Sequence, residues 1–470
     1  MGEDGSKFKT VDELLATIKS AIGHPFRDFD VNHRLDNPKN KGALGQIVEE
    51  GILKYPVNSR AEADLTELGI EIKTTGLIKD RNGNYKTKER LTLETLNYSK
   101  VSQSDDFQSS QLWEKIRSML FVFYEYDPNV PYGDMKIVDA ALNKFSDVDL
   151  KIMEEDYDKI VSKIREGRAE DISEGDTMYL GACTAGTGAL ISQPYSDVKA
   201  KQRKFCLKTS YFTELAGNLL SNSVPGERLV SLADLSYHDF DETITSRLSP
   251  YIGLSESDIR SRFGIAINPS AKNRYERYVA AMLGIKGKIS DTDEFKKAGI
   301  KVKVIRVQAK GGIKESVSFP YFHFKDIVST EWEQSDIREM FASTRFCFVI
   351  FNESENGEYL FGGIKFWNMD EKLLDEEVKP VYQRLKSVLE TGDIVAATFY
   401  SSGKLARKTN FPGMSFNAYV HVRPHGRDAS DADELPVKDK LTGATMFTKQ
   451  CFWLNASYVL SIIKDKGNID

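Results

Sequence analysis

One short pattern occurs twice in this chain of 470 residues, and it restricts the possible folds more than any other feature. Residues 64–75 contain Gly-Ile-Glu-Ile-Lys, and residues 294–303 contain Gly-Ile-Lys-Val-Lys. In both copies apolar and charged residues alternate, which predicts a strand with one buried face. A helix precedes each copy, and a further helix and an aromatic-rich strand follow it. The sequence therefore predicts two copies of one α/β architecture.

The first copy has the side chains of a metal site. On a strand, Ile70 and Ile72 would face one side, while Glu71 and Lys73 would face the other, roughly 6.5–7 Å apart. Mg²⁺ takes oxygen ligands and usually keeps only one or two protein carboxylates. Glu71, Asp64 and the carbonyl of Ile72 supply such ligands, and Lys73 could contact a water. This arrangement predicts a site that hydrolyses phosphodiesters.

The spacing alone does not establish a metal site. The same spacing of an acid and Glu-x-Lys recurs at Asp370, Glu377 and Lys379, in a segment with helical periodicity and solvated charges. The strand context distinguishes the two occurrences. A charged strand edge without a catalytic role remains the alternative.

The second copy lacks the charges that a metal requires. Lys301 stands at the position of Glu71, Ala280 falls near that of Glu49, and no lysine occupies the position expected for a counterpart of Lys115. A second ammonium group would repel Mg²⁺ strongly in a cleft of low dielectric constant. We therefore expect the second copy to bind the same kind of ligand without catalysis.

The overall charge argues against a protein that coats nucleic acid without selectivity. The formal net charge is −6 and the isoelectric point is near 5.8, whereas phosphate neutralisation drives nonspecific binding. Any cations that contact DNA must therefore be concentrated locally. Residues 199–208 are a candidate, and the alternative for this segment is a solvated helix face. Its cations are Lys199, Lys201, Arg203, Lys204 and Lys208.

Four widely spaced cysteines without metal-binding spacing indicate reduced thiols in an intracellular protein. The sequence shows no membrane span and no signal-peptide pattern. Helices are predicted at 8–22, 43–54, 110–117, 146–168, 255–263 and 274–283, and strands from 69, at 89–96 and at 119–124. A hairpin turn is predicted at 81–85. The pattern breaks near 223–227, which predicts domains at 1–225 and 243–470 joined by a linker at 226–242.

Several motifs resemble one nuclease family. Gly45-Gln-Ile-Val-Glu49 and the run at 64–73 resemble the active site of MutH, the GATC-nicking endonuclease of mismatch repair. The whole chain resembles restriction endonucleases of the Sau-three-A-I type, which recognise GATC in duplex DNA. The segments that carry this wider resemblance are residues 173–175, 193–203, 421–425 and 448–455.

The resemblance implies an α/β protein of two tandem restriction-endonuclease-like domains, MutH-like and of the PD-(D/E)xK type. The first would cut double-stranded DNA with Mg²⁺, and the second, a degenerate repeat, would bind another GATC copy as an allosteric effector. One catalytic centre cuts one strand, so transient self-association on DNA is expected. The resemblance also implies a bacterial cytoplasmic enzyme.

It further implies roles for individual residues. Asp64 and Glu71, with the Ile72 carbonyl, would hold the metal, and Lys73 would orient the attacking water. Glu49 would support the metal or its water, and Lys115 would contact the scissile phosphate.

For DNA recognition, the resemblance implies Arg423, His425 and Trp453 in the second half. At the matching positions of the first half, Cys183 and Ala185 replace the arginine and lysine of MutH. The cations of residues 199–208 would compensate through phosphate contacts.

Two other functions remain open. One is a partner-activated GATC-nicking endonuclease of mismatch repair. The other is a DNA-binding protein that senses sequence or methylation and has no catalytic activity.

Overall fold

The computed structural model describes residues 8–57, 63–80, 83–186, 188–221, 226–268, 270–313, 316–401 and 404–465. Part of the predicted hairpin turn (Arg81 and Asn82) and part of the predicted break (222–225) lie outside these residues. Within them, no helix combines the length and the apolar character needed to cross a membrane.

The first half of the chain alternates helices and strands. Its helices are α1 (Val11–Lys19), α2 (Ala43–Ile47), α3 (Tyr98–Ser102), α4 (Gln111–Ile116), α5 (Asp147–Arg165) and α6 (Thr209–Ser221). Its strands are β1 (Glu71–Lys79), β2 (Tyr85–Thr87), β3 (Leu91–Thr95), β4 (Met119–Glu125), β5 (Ile137–Asn143), β6 (Leu180–Thr184), β7 (Leu190–Gln193), β8 (Ser196–Lys201) and β9 (Arg203–Leu207).

The second half has the same kinds of element. Its helices are α7 (Phe240–Leu248), α8 (Glu256–Phe263), α9 (Arg274–Met282), α10 (Asp293–Ala298), α11 (Phe324–Ser329), α12 (Asp336–Ser343), α13 (Glu371–Leu373), α14 (Lys379–Thr391) and α15 (Ala456–Lys464). Its strands are β10 (Lys301–Val307), β11 (Val317–Tyr321), β12 (Arg345–Glu353), β13 (Tyr359–Asn368), β14 (Val395–Ser401), β15 (Lys404–Thr409), β16 (Val420–Pro424), β17 (Ala432–Glu434), β18 (Met446–Thr448) and β19 (Gln450–Leu454).

The predicted helices and strands form close to their expected positions. The Thr10 and Ser110 side chains cap α1 and α4 by accepting backbone N–H groups of the first turn. In the predicted 43–54 helix, the α-helical part ends at Ile47 and a π-helical turn, Val48–Ile52, follows. Gly51 lies against the carbonyl of Phe29, 1.9 Å from where a Cβ would stand, so only glycine fits.

The sheets of the two halves are connected in corresponding ways. In the first half β1 pairs in parallel with β4, and β4 pairs antiparallel with β5. In the second half β10 pairs in parallel with β12, and β12 antiparallel with β13. A separate antiparallel sheet has the order β3-β9-β6 in the first half and β11-β19-β16 in the second.

The two copies of the sequence pattern also adopt the same turn. Gly69 and Gly299 both have left-handed φ angles, 61° and 66°, a conformation that favours glycine. The next residue donates its N–H five positions back, from Ile70 to Leu65 at 3.2 Å and from Ile300 to Phe295 at 3.0 Å. The local backbone is therefore the same where the side chains differ.

The apolar core is continuous between the halves. One buried cluster contains residues of the first half only, a second contains residues of the second half only, and the largest contains residues of both. Leu229, Val230, Leu235 and Phe240 of the predicted linker are buried in this largest cluster. These four side chains tie the segment to the shared core, whereas others in it, such as Leu232 and Tyr237, are exposed. The division into domains stays a prediction.

Candidate functional site

Three of the predicted site residues meet at the start of β1. Glu71 is 1% exposed, and its Oε1 accepts a hydrogen bond from Lys73 Nζ at 2.6 Å. Asp64 Oδ2 accepts the backbone N–H of Ile72 at 2.9 Å. This bond places the Asp64 carboxylate beside the strand position of Glu71, as the sequence predicts. Whether the Ile72 carbonyl binds a metal stays a prediction.

Two further residues approach this group from helices. Lys115, near the end of α4, places Nζ 3.7 Å from Glu71 Oε1. Glu49 lies in the π-helical turn, and the charges of Asp64, Lys73 and Glu71 all act on its carboxylate. The structure thus brings together the five residues for which catalysis was predicted.

The electrostatics of this group fit a bound cation. Burial, and then the charge of Asp64, raise the pKa of Glu49 to about 7, and burial with the Glu71 charge raises the pKa of Asp64. Glu71 Oε2 is buried without a hydrogen-bond partner among the described residues. A divalent cation would neutralise the crowded carboxylates and bind the unpaired oxygen.

This group contains few side chains that could coordinate a metal ion directly. In the described ranges no cluster of three or more His, Cys, Asp or Glu side chains is arranged to hold a metal ion unaided. Mg²⁺ does not require such a cluster, because water and substrate phosphate usually complete its octahedron. Asp64 and Glu71 match the usual number of protein carboxylates at such a site, and their role as metal ligands stays a prediction.

Sequence reasoning did not single out Glu94, a carboxylate on β3. A bulge interrupts the pairing of β3 with β9 between Thr92 and Glu94, and such bulges redirect side chains. Burial raises the pKa of Glu94, whereas the charge of Lys115 lowers it. The alternation at 89–96 predicted its strand, but only the tertiary structure places it near Lys115 and Glu71.

A cleft of about 870 Å³ lies beside the first-half site. Lys73 and Thr74 of β1 line it together with Thr92 of β3. Its remaining cationic lining residues are Arg27, Lys41, Lys88 and Arg90. Arg27, Lys88 and Arg90 already form ion pairs with Asp134, Glu89 and Glu174, so these three cations are engaged within the protein in this structure.

At the corresponding position of the second half, β10 carries lysines. Lys301 lies opposite Phe346 in the parallel pairing, as Glu71 lies opposite Met119. A cleft of about 750 Å³ contains both Lys301 and Lys303. Glu294, aligned with Asp64, accepts the backbone N–H groups of Leu229 and Val230 instead of facing this cleft.

The three second-half residues predicted to contact DNA form one cluster. The Arg423 guanidinium stacks 3.8 Å from the ring centroid of Trp453, and His425 meets the same ring edge-on at 5.6 Å. Arg423 lies on β16 and Trp453 on β19, strands that pair antiparallel. His425 is exposed and borders the second-half cleft.

The first half has two thiols at the positions of this arginine and tryptophan. Leu180 and Val420 pair with Leu207 and Leu454, respectively. Cys183 follows Leu180 by three residues, as Arg423 follows Val420. Cys206 precedes Leu207 by one residue, as Trp453 precedes Leu454. Contact between the two buried thiols lowers the pKa of Cys183 and raises that of Cys206. The first half therefore lacks this stacked pair.

The prediction for residues 199–208 needs correction. The segment forms β8 and β9, not a helix. Arg203 is 1% exposed and bonds to Ala182 O at 2.8 Å. Lys208 is also buried, which lowers its pKa to about 8, and its Nζ donates to the Thr177 carbonyl.

Lys201 is also engaged within the protein, through Asp375 at 2.7 Å and Glu371 at 3.2 Å. Lys201, Arg203 and Lys208 thus already have internal partners, which argues against the phosphate contacts predicted for them. Lys199 is exposed and Lys204 is half-buried. The phosphate contacts predicted for these two lysines therefore stay predictions.

Comparison with known proteins gives consistent matches. The family model described as DNA mismatch repair enzyme MutH matches residues 53–156, which contain Asp64, Glu71, Lys73 and Lys115. The DNA mismatch repair proteins MutH of Shewanella woodyi and Shewanella baltica are each 26% identical, over 43% of this chain and 89% and 92% of their own lengths.

The Type II restriction enzyme Sau3AI of Staphylococcus aureus is 33% identical over 484 aligned residues. That alignment covers 95% of this chain and 97% of the relative. It therefore includes both halves, whereas the MutH relatives match less than half of the chain. On this similarity and the MutH match in its first half, the chain belongs to the MutH-like family of the restriction enzyme Sau3AI.

Proposed function

We propose that this protein is a type II restriction endonuclease that hydrolyses phosphodiester bonds of double-stranded DNA at GATC, with Mg²⁺ as cofactor. The observation that carries the proposal is the contact of both Lys73 and Lys115 with one buried carboxylate, Glu71. Asp64 is fixed beside it by the backbone of Ile72. The whole-length similarity to a type II restriction enzyme supports the assignment.

Each residue has a distinct part in the proposed reaction. Asp64 and Glu71 would hold Mg²⁺, with Glu49 supporting it; when bound, the ion would stabilise negative charge that develops on the phosphate oxygens. Lys73, held at Glu71, would orient the attacking water. Lys115 would contact the scissile phosphate.

We further propose that the second half is a degenerate repeat of the first PD-(D/E)xK domain, with boundaries near 225 and 243. The matching strand pairings and the matching turns at Gly69 and Gly299 support this. The replacement of Glu71 by Lys301 explains why the repeat would not cut. Its Arg423–Trp453–His425 cluster would bind a second GATC copy as an allosteric effector, with Arg423 reaching guanine in the major groove.

Cleavage of a circular plasmid tests the reaction. Purified protein with Mg²⁺ should linearise a GATC plasmid unaided, and sequencing of the ends should place the cut at GATC. Since one catalytic centre cuts one strand, linearisation of the plasmid requires transient self-association on DNA or two successive nicks. Open circles alone would indicate a partner-activated nickase instead, and intact plasmid with GATC-specific binding would indicate a non-catalytic DNA-binding protein.

Plasmids with one and with two GATC sites test the effector role. Each copy is placed in the same flanking sequence, and single-turnover rates are compared at equal site concentration. We expect faster cleavage of the two-site plasmid, and stimulation of the one-site plasmid by an added GATC duplex. Equal rates on both plasmids would contradict the allosteric part of the proposal while leaving the nuclease assignment intact.

A further inference from the structure

The cleft of the second half contains more cations than its carboxylates neutralise. Lys296, Lys301 and Lys303 line it, while Glu214 and Glu276 are its acidic residues. Glu276 already accepts a hydrogen bond from Ser290 Oγ at 2.7 Å. The cleft that corresponds to the catalytic cleft has therefore changed from a carboxylate site to a lysine site.

In the part of the chain that the structure describes, the two lysines of β10 have no ion-pair partner. Among the residues that the structure describes, no carboxylate oxygen lies within 4.0 Å of Lys301 Nζ or Lys303 Nζ. Lys303 Nζ donates only a long hydrogen bond, 3.4 Å, to the carbonyl of Ser318. In the first half, by contrast, Lys73 Nζ lies 2.6 Å from Glu71. Cations that are held together in a cleft without carboxylate partners favour an anion from outside the protein.

The position of the lysines indicates which anion would bind. His425 borders the same cleft and contacts Trp453, on which Arg423 stacks. A duplex that presents base edges to Arg423 would therefore place its backbone at the cleft. A phosphodiester carries one full negative charge and accepts hydrogen bonds from two ammonium groups at once.

We propose that Lys301 and Lys303 bind a backbone phosphodiester of the effector duplex directly, so that the second half binds DNA without a divalent cation. Lys301 supplies the positive charge at the strand position whose counterpart, Glu71, would hold Mg²⁺. This inference rests on the proposed effector role and specifies its chemistry. It makes the two halves differ in what neutralises the DNA phosphate: Mg²⁺ in the first and an ammonium pair in the second.

Binding of a labelled GATC duplex in EDTA tests the inference with the full-length chain. Lys301→Ala and Lys303→Ala are compared with wild type, and Lys438→Ala and Lys464→Ala serve as matched controls because both lysines are exposed and lie outside the cleft. We expect about tenfold weaker binding for each cleft variant. The slope of log K against log salt concentration should fall by about 1 per lysine removed.

Lys303 is half-buried, so Lys303→Met, which retains the apolar stem, accompanies the alanine variant, and melting temperatures confirm folding. Lys301 is exposed, and its variant keeps the inference testable if changes at Lys303 unfold the protein. Wild-type affinity and an unchanged salt slope in Lys301→Ala would overturn the inference. No GATC-specific binding or cleavage by wild type would instead overturn the proposed function.

Duplexes with a single neutral methylphosphonate linkage locate the phosphate. Each linkage of the recognition site is replaced in turn, and binding in EDTA is measured with wild type and with Lys301→Ala. We expect one linkage whose neutralisation weakens wild type but not the variant, because the lysine contact is already lost. A linkage profile that is identical in both proteins would contradict direct contact.

Discussion

The parallel strand pairs β1–β4 and β10–β12 have the same register but opposite charge at one position. Glu71 and Lys301 both follow an isoleucine and a left-handed glycine, and both lie opposite the start of the parallel partner strand. In the first half two lysines converge on that carboxylate. In the second half the lysine has no carboxylate partner in the described residues. Packing therefore preserves the backbone geometry of both halves, whereas the chemistry depends on a few side chains.

The supporting residues differ together with the central one. Ala342 precedes Phe346 by four residues, as Lys115 precedes Met119, and it is buried. Pro320 follows Ser318 of β11 as Glu94 follows Thr92 of β3, with a bulge in each strand. Thus the second half lacks counterparts of all three first-half residues, Glu71, Lys115 and Glu94. A single substitution does not account for the difference between the halves.

The largest effect is expected from removing the central carboxylate. Glu71→Ala should slow single-turnover cleavage by at least about 1,000-fold, because it removes a metal ligand and the partner of two lysines. GATC binding in EDTA should remain. A variant that still cuts within tenfold of wild type would show that Glu71 is not part of the catalytic site.

Loss of Lys115 should have a smaller effect. Lys115→Ala should reduce the single-turnover rate about 10- to 100-fold, since one charge near the phosphate is removed while the carboxylates stay. Lys100→Ala is the matched control, because this exposed lysine bonds Gln111 at the start of the same helix. Equal losses in both variants would indicate a general charge effect.

Changes in the recognition cluster should affect binding rather than chemistry. Arg423→Ala should weaken effector binding about 5- to 150-fold and relax preference at one base pair, as expected for a guanine contact of about 1–3 kcal/mol. Competition binding with duplexes that carry single substitutions in GATC measures both the affinity and the base preference. Uniform weakening on all sequences would indicate a phosphate contact or a structural role instead.

The raised pKa of Glu49 predicts a pH effect on stability. The folded pKa is about 7, against 4.5 as the ordinary value, so folding penalises the ionised form. Metal-free wild type should lose stability as pH rises from about 5 to about 8, and Glu49→Gln should remove that part of the loss. Thermal melting in EDTA measures the difference between the two proteins.

Glu155 on α5 offers a matched control, because burial also raises its pKa to about 7. Glu155→Gln should give a similar pH-dependent stabilisation. Mg²⁺ should reduce the difference in melting temperature between wild type and Glu49→Gln. It should leave the difference between wild type and Glu155→Gln unchanged. The same response to Mg²⁺ in both variants would place no metal near Glu49.

The smallest effect is expected from restoring one carboxylate to the second half. In the Glu71→Ala background, Lys301→Glu should recover no cleavage, since counterparts of Lys115 and Glu49 are still missing. Sensitive plasmid nicking assays measure this. Recovered cutting by the double variant would show that the second half needs only one side chain to become active.

Most local structure followed from the sequence. Alternation predicted β1, β3 and β10, and an aromatic-rich run predicted β4. Helical periodicity predicted α1 and α4, which Thr10 and Ser110 cap in the structure. The convergence of Asp64, Glu71, Lys73, Lys115 and Glu49 also agreed with the resemblance. These features could be predicted because they depend on periodicity over a few residues and on motifs. In such motifs the residue types and their spacing already indicate which side chains will meet.

The cations of residues 199–208 show what local sequence does not reveal. Their density predicted phosphate contacts, but Arg203 and Lys201 pair with Glu371 and Asp375, more than 160 positions later in the chain. Glu94 was missed for the same reason, because its neighbours Lys115 and Glu71 come from other elements. Local composition contains no information about such partners.

The order of residues alone is enough to predict two similar strands, of which only the first carries carboxylates suited to a metal. The tertiary structure decided which charges are available to a ligand. Pairing across the chain engages Lys201 and Arg203, and burial encloses Lys208. Lys301 and Lys303, by contrast, have no carboxylate partner among the described residues of their cleft. The physical reason is that an ionised group's environment is set by desolvation and by its nearest opposite charge, and both depend on residues distant in sequence.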